Sequence, residues 1–259
     1  MASGLKIGAF NVQIFGQEKL QDRVTMNVLS KIVRRFDVLL IEEIRSNTND
    51  VIPTLLNIVN KPFGRAVYKL RISERLGTTS SKEQYAFVYR SDTVKITDDY
   101  QYPTNEDFER PPYSVLVAPQ NEKVGEFFLL GVHVRPDNAF SEINNLHTAF
   151  LAASDHYGTQ RGIILGDFNA GCSYLSTKKY RQLSLVTDTS FTWILDQNTY
   201  TNVKMTCPYD RIVAHRSIVP VVDVKTAKVF LFDEAYSLTE DQAAAVSDHY
   251  PVEVHIRAT

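Results

Sequence analysis

Short apolar runs that begin or end on a side chain able to hold a proton or a metal recur along this whole chain. That pattern restricts the folds open to it more than any other feature. Strand-like runs fall at residues 5–12, 37–44, 84–89, 113–118, 126–134, 162–165, 209–214, 228–232 and 250–256. Asn11 closes the first, Glu42-Glu43 closes the second, Glu83 opens the third, and His133 follows Val132. Asp167 and Asn169 follow Leu165, Asp210 opens another run, and Asp248-His249 opens the last. A single polar residue at a strand end is ordinarily a turn former. A set of them, on strands that could share one rim, is raw material for metal-assisted phosphate chemistry.

Helical spacing separates some of the runs. Leu20, Val24, Val28 and Ile32 lie on one face of a segment over 18–35 that finishes on Arg34-Arg35, favourable at a helix C-terminus. Pro53, preceded by Asn49-Asp50, marks a capped helix start. Phe140, Ile143, Asn144, His147, Phe150 and Leu151 keep helical spacing, and Thr239-Glu-Asp-Gln242 is a capping-box pattern opening a short helix over 243–246. Segments 38–41 and 163–165 are apolar on both faces, which calls for helices covering the sheets. No linker, repeat or low-complexity stretch divides the sequence, so the expectation is a layered α/β fold in a single domain over 5–259.

A net charge of −2 argues against coating nucleic acid by bulk electrostatics. It leaves room for a local basic stripe from Lys69, Arg71, Arg75 and Lys82, with Arg45 and Arg110 elsewhere, or for an ordinary solvated surface. No apolar run is long enough to span a membrane. Met1–Gly4 is too short and polar for a signal peptide and reads as an expression remnant ahead of a mature chain whose targeting segment is gone. Cys172 and Cys207 show neither a CxxC nor a Cys/His zinc spacing, which excludes structural zinc; they are two buried thiols or one bridge.

The polar set also selects the metal. Carboxylate and amide oxygens without thiolate favour a hard cation, Mg²⁺, Mn²⁺ or Ca²⁺. Alternation along 248–256 puts Tyr250, Val252, Val254 and Ile256 on one face and Glu253 and His255 on the other, which makes His255 a surface histidine. His147, His156 and His215 are ordinary. His133 and His249 alone combine strand-end placement with available carboxylates, and two such pairs would supply a general base and a general acid.

Six segments now carry a resemblance: Leu5-Lys-Ile-Gly-Ala-Phe-Asn-Val12, Ile41-Glu-Glu-Ile-Arg45, Lys82-Glu-Gln-Tyr-Ala-Phe87, Gly166-Asp-Phe-Asn-Ala-Gly-Cys-Ser-Tyr174, Cys207-Pro-Tyr-Asp-Arg-Ile-Val213 and Ser247-Asp-His-Tyr-Pro-Val-Glu-Val254. Together they resemble the deoxyribonuclease I family, in the family's order and across essentially the whole chain. The resemblance implies a four-layer α/β/β/α sandwich, two packed, mainly antiparallel sheets flanked by helices. It also implies endonucleolytic cleavage of DNA to 5′-phosphorylated products with Mg²⁺ or Mn²⁺. Glu83 with His133, and Asp210 with His249, match the catalytic pairs. Glu43 and Asp248 match metal carboxylates, with Asn11 nearby. Asp167 and Asn169 match groups holding the scissile phosphate or a second metal; Arg110 and Tyr174 match phosphate contacts; Arg45 matches a minor-groove arginine. Cys172 and Cys207 match a structural disulfide, which implies a secreted or secretory-pathway protein.

The departures carry expectations too. Ser81 stands where a tyrosine commonly packs on the sugar, which should weaken duplex binding. Glu42 replaces a common glutamine and adds a negative charge near the phosphate path. Calcium is a further candidate ligand, but Thr199 stands where an aspartate is usual. Leu70 and Arg71 depart from the actin-contact segment, so actin binding is not expected. The expected partner is DNA, double-stranded, with no membrane, and the chain is expected to be a monomer. The rival readings are another phosphodiesterase or phosphatase of the endonuclease/exonuclease/phosphatase superfamily and a non-catalytic interaction protein on the same scaffold.

Overall fold

The computed structural model describes residues 4–78, 81–103 and 106–257; of the supposed remnant Met1–Gly4, residues 1–3 lie outside them. The chain begins with β1 (Leu5–Phe15), α1 (Gln17–Gln21), α2 (Arg23–Val33), β2 (Val38–Ile44), α3 (Val51–Asn60), β3 (Tyr68–Ile72), β4 (Gln84–Arg90) and β5 (Val94–Gln101). It continues with β6 (Tyr113–Pro119), β7 (Phe127–His133), α4 (Ala139–Tyr157), β8 (Gly162–Asp167), α5 (Thr177–Tyr180), α6 (Ser184–Thr187) and β9 (Phe191–Trp193). Last come β10 (Asp210–His215), β11 (Val222–Val229), α7 (Phe232–Tyr236), α8 (Glu240–Val246) and β12 (Val252–Ile256).

These strands form two six-stranded sheets, ordered β11-β12-β1-β2-β4-β3 and β5-β6-β7-β8-β10-β9. The pairs β1–β2 and β7–β8 are parallel and the other pairings antiparallel. Strand alternation builds the layers. Ile7 and Ala9 of β1, Val38 and Leu40 of β2, and Ile163 and Leu165 of β8 enter a core between the sheets. Their alternates Phe10, Leu39 and Ile41 meet α2, α3 and α8 on one outer face, while Ile164 meets α4 and α6 on the other. The result is the expected α/β/β/α sandwich.

The strands β3, β5, β9 and β11, missed in the sequence, are the four sheet edges. An edge strand has one open flank and is commonly short or charged, as in Thr97-Asp98-Asp99 of β5. The run at 228–232 reaches only the end of β11 before the chain turns into α7. The helix expected over 18–35 is broken at Asp22, which leaves helical geometry to cap α2 by accepting from Val24 N–H. That break resets the helical phase. Val24 therefore points outward, and Met26, Leu29 and Val33 join Val28 and Ile32 on the buried face. The Thr239/Gln242 capping box is present and opens α8.

Candidate active site

Strand register gathers the polar ends. Parallel pairing sets Asn11 beside Glu42 and His133 beside Asp167, and antiparallel pairing sets Asp210 across from Asp167. Because the sheets pack face to face, these ends share one rim with the segment leading into β12. There they border a cavity of about 500 Å³ whose lining includes Glu43, His133, Asp167, Asn169, Tyr174, Asp248 and His249.

Two histidine–carboxylate pairs stand in it, each joining one sheet to the other. His133 Nδ1, from β7, lies 2.8 Å from Glu83 Oε2, just ahead of β4. His249 Nδ1, ahead of β12, lies 2.9 Å from Asp210 Oδ2 at the start of β10. A carboxylate on Nδ1 fixes the ring and leaves Nε2 to face the cavity. Both Nε2 atoms lie 3.7 Å from the same atom, Asp167 Oδ2. Gly166 makes the approach: its φ of +135° and a Cβ that would sit 2.1 Å from Val132 O require glycine ahead of Asp167.

The electrostatics of the pairs differ. Burial pushes the Glu83 carboxyl up, but the His133 hydrogen bond and the charges of His133, Arg110 and Arg45 outweigh it and bring it to about 2. Arg45 lies 2.6 Å and Arg110 3.4 Å from Glu83 Oε1. Burial penalises the His249 cation, but Asp210, Asp167 and Asp248 overcome that and hold its pKa well above the ordinary value.

The carboxylates form a second layer of order. Asn11 donates to Glu43 Oε1 (3.1 Å) and Asp167 Oδ2 (3.2 Å) while its own oxygen accepts Gln13 N–H. In this arrangement it is the amide nitrogen, not an oxygen, that faces the carboxylates. Asp248 is exposed, and Glu43 is mostly buried. The donor set fits a divalent cation: one ligand atom each from Asp167, Asp210 and His249 lies within 4.8 Å of the others, and buried Asp210 Oδ1 has no hydrogen-bond partner.

Of the remaining expected residues, Asn169 is buried, donates its amide to Val134 O, and adopts φ +48°. Tyr174 is exposed, its ring against Tyr209, which in turn lies against His249. Arg110 is mostly buried and donates to His133 O, with Nη2 unpartnered among the described residues. Arg45 bridges Glu43 and Glu83 at the rim. Ser81 is exposed two residues before Glu83. Cys172 and Cys207 are bonded, closing a loop with a separation of 35 residues, worth about 3–4 kcal/mol in the loop-entropy model.

The surroundings of Glu42 work against the charge expected of it. Complete burial, then Asp167 and Asp210, raise its carboxyl well above the ordinary value. Its Oε2 accepts Asp167 N–H at 2.9 Å.

Three supporting residues gave no sequence signal. Tyr85 Oη accepts His133 N–H at 2.8 Å. Lys19, brought down to about 8 by burial against the pull of Asp248 and Glu43, donates to Val246 O at 2.9 Å and also to Val12 O. Thr201 donates to Asp210. Each lies in an unremarkable local pattern, and only its contacts reveal it.

Comparisons with known proteins give the family and the fold. The family described as endonuclease/exonuclease/phosphatase matches residues 8–249. The chain is 36% identical to human deoxyribonuclease gamma, over 100% of this chain and 88% of that protein. It is also 36% identical to bovine deoxyribonuclease-1, over 96% and 91%. An endonuclease/exonuclease/phosphatase family protein from Leptotrichia buccalis shares the fold with a TM-score of 0.67 at 17% identity, covering 98% of this chain and 99% of that one. Among the described residues no helix is long and apolar enough to cross a membrane.

Proposed function

The chain belongs to the endonuclease/exonuclease/phosphatase family and, within it, to the deoxyribonuclease I family, and from that premise we propose that it is a divalent-metal-dependent endonuclease hydrolysing DNA phosphodiester bonds. The observation that carries the mechanism is the pair of imidazoles, each fixed through Nδ1 and each presenting Nε2 at 3.7 Å to Asp167 Oδ2. A phosphodiester seated there has a proton carrier on either side. One imidazole accepts the proton of the attacking water and the other protonates the departing 3′ oxygen, which leaves a 5′-phosphate on the other fragment. Glu83 and Asp210 orient the rings and stabilise their cations as the proton moves. Tyr174 and Arg110 are the proposed phosphate contacts, and Asn169 and Asp167 would hold the scissile group or a second metal. Arg45 and Ser81 lie on the duplex side.

Glu43, Asp167 and Asp248 face the cavity, and carboxylates alone would repel a phosphodiester. The proposed ion is Mg²⁺ or Mn²⁺, which Glu43 and Asp248 would hold and which would supply positive charge to the phosphoryl oxygens. A secreted monomer acting on duplex DNA, without actin binding and with calcium only a further candidate ligand, completes the reading.

Supercoiled plasmid tests it. Nicked circles are expected with Mg²⁺ or Mn²⁺ and none with EDTA. Plasmid left supercoiled under every metal condition sinks the proposal, and release of inorganic phosphate from a phosphomonoester in its place would favour the phosphatase rival.

A further inference from the structure

Thr201 lies in the segment between β9 and β10, with no solvent exposure. Its hydroxyl has three partners: Tyr209 N–H and Asp210 N–H, each at 3.0 Å, and Asp210 Oδ2 at 2.6 Å. A hydroxyl carries one proton and two acceptor lone pairs. The two backbone donors occupy both lone pairs, so the proton is directed at Asp210 Oδ2. That oxygen is also the partner of His249 Nδ1. The backbone of Thr201 grips the other half of the pair: its carbonyl accepts Tyr250 N–H at 2.7 Å, and its N–H donates to Cys207 O at 2.9 Å. The flanking Asn202 forms a β-bridge with His249, and Val203 N–H donates to Asp248 O.

Asp210 and His249 belong to different sheets and share no strand pairing. We propose that Thr201 is the positioning residue that joins them, fixing the Asp210 carboxylate by its hydroxyl and the His249 segment by its carbonyl. The pair is then a Thr201–Asp210–His249 relay in which the hydroxyl holds Oδ2 in line with Nδ1. This rests on the nuclease reading for its effect on rate, but not for its geometry. The counterpart pair is braced differently, Glu83 by Arg45 and Arg110 and His133 by Tyr85.

The test compares Thr201→Val, which keeps the shape and loses the hydroxyl, with Thr201→Ser, which keeps it. A lost hydrogen bond to a buried carboxylate corresponds to about a 10- to 100-fold fall in plasmid-nicking kcat, with KM unchanged; Thr201→Ser should retain the wild-type kcat. Adding Thr201→Val to His249→Ala should cost nothing further, because the relay acts as a unit. The His249 Nδ1–H proton resonance, assigned by its loss in Asp210→Asn, should shift in Thr201→Val and not in Thr201→Ser, in EDTA-treated protein. Thr201→Val with wild-type kcat, or an undiminished loss in the His249→Ala background, overturns the proposal. If the wild type never nicks DNA the nuclease reading falls, and the resonance alone decides: an unmoved signal in Thr201→Val overturns the relay. If Thr201→Val does not fold, the serine variant decides, since a serine losing kcat or shifting the resonance in a protein of wild-type melting temperature is equally fatal.

Discussion

The two histidine–carboxylate pairs have nearly the same inner geometry, 2.8 and 2.9 Å, and different bracing around the carboxylate. Glu83 sits against two guanidinium groups, and cations set its electrostatics. Asp210 has a hydroxyl on one oxygen and, among the described residues, no hydrogen-bond partner on the other, and His249 is surrounded by carboxylates. One pair is built around a stabilised anion and the other around a stabilised cation. Similar hydrogen-bond lengths therefore come with different neighbouring charges.

The largest expected effect breaks both pairs. His133→Ala and His249→Ala should each lower plasmid-nicking kcat by about 10²–10⁴-fold, and the double variant should be no worse than the weaker single, as for groups that act together. A double variant whose loss equals the product of the two would mean that the pairs act independently.

Metal-free stability separates the pairs next. Glu83 falls from 4.5 to about 2 on folding, so its contribution is present above 4.5 and is lost as pH falls toward 2. Glu83→Gln should flatten the melting temperature over that window in EDTA. His249 is raised, so its contribution is present in acid and lost as pH rises through its folded pKa. His249→Phe should flatten the neutral-to-alkaline side and leave the acid limb alone. Matching profiles for the two variants would erase the distinction between the pairs.

Smaller effects lie at the rim on either side. Ser81→Tyr, on the Glu83 side, should lower KM for duplex DNA and shift the sites cut; unchanged kinetics and cutting pattern would remove any role for stacking there. Lys204 lines the cavity on the Asp210 side. Lys204→Ala should reduce the slope of log(kcat/KM) against log[salt] by about one phosphate contact, with kcat retained; an unaltered slope would place it outside the substrate path.

Much of the candidate site was legible because strand ends are marked locally. An apolar run and its polar terminus are neighbours in sequence, so Asn11, Glu43, Glu83, His133, Asp167, Asn169, Asp210, Asp248 and His249 could be named from the chain. Thr201 and Tyr85 could not, since a hydroxyl within a loop or a strand has no local signature and acquires its role from what packs against it. Glu42 shows the same limit for charge: the sequence reads as a carboxylate, and burial beside Asp167 and Asp210 favours the neutral acid. The edge strands β3, β5, β9 and β11 escaped for a related reason, because a strand with one free flank need not be apolar.

The sequence by itself determined the central strands, the residues at their ends and, through its motifs, the family. Alternation and run length are local properties that survive without any knowledge of neighbours. The tertiary structure decided which ends meet: Glu83 with His133 across 50 residues, and Asp210 with His249 across 39. Both contacts run between sheets, where the packing of two apolar faces, rather than any spacing along the chain, brings an acid within hydrogen-bond reach of an imidazole.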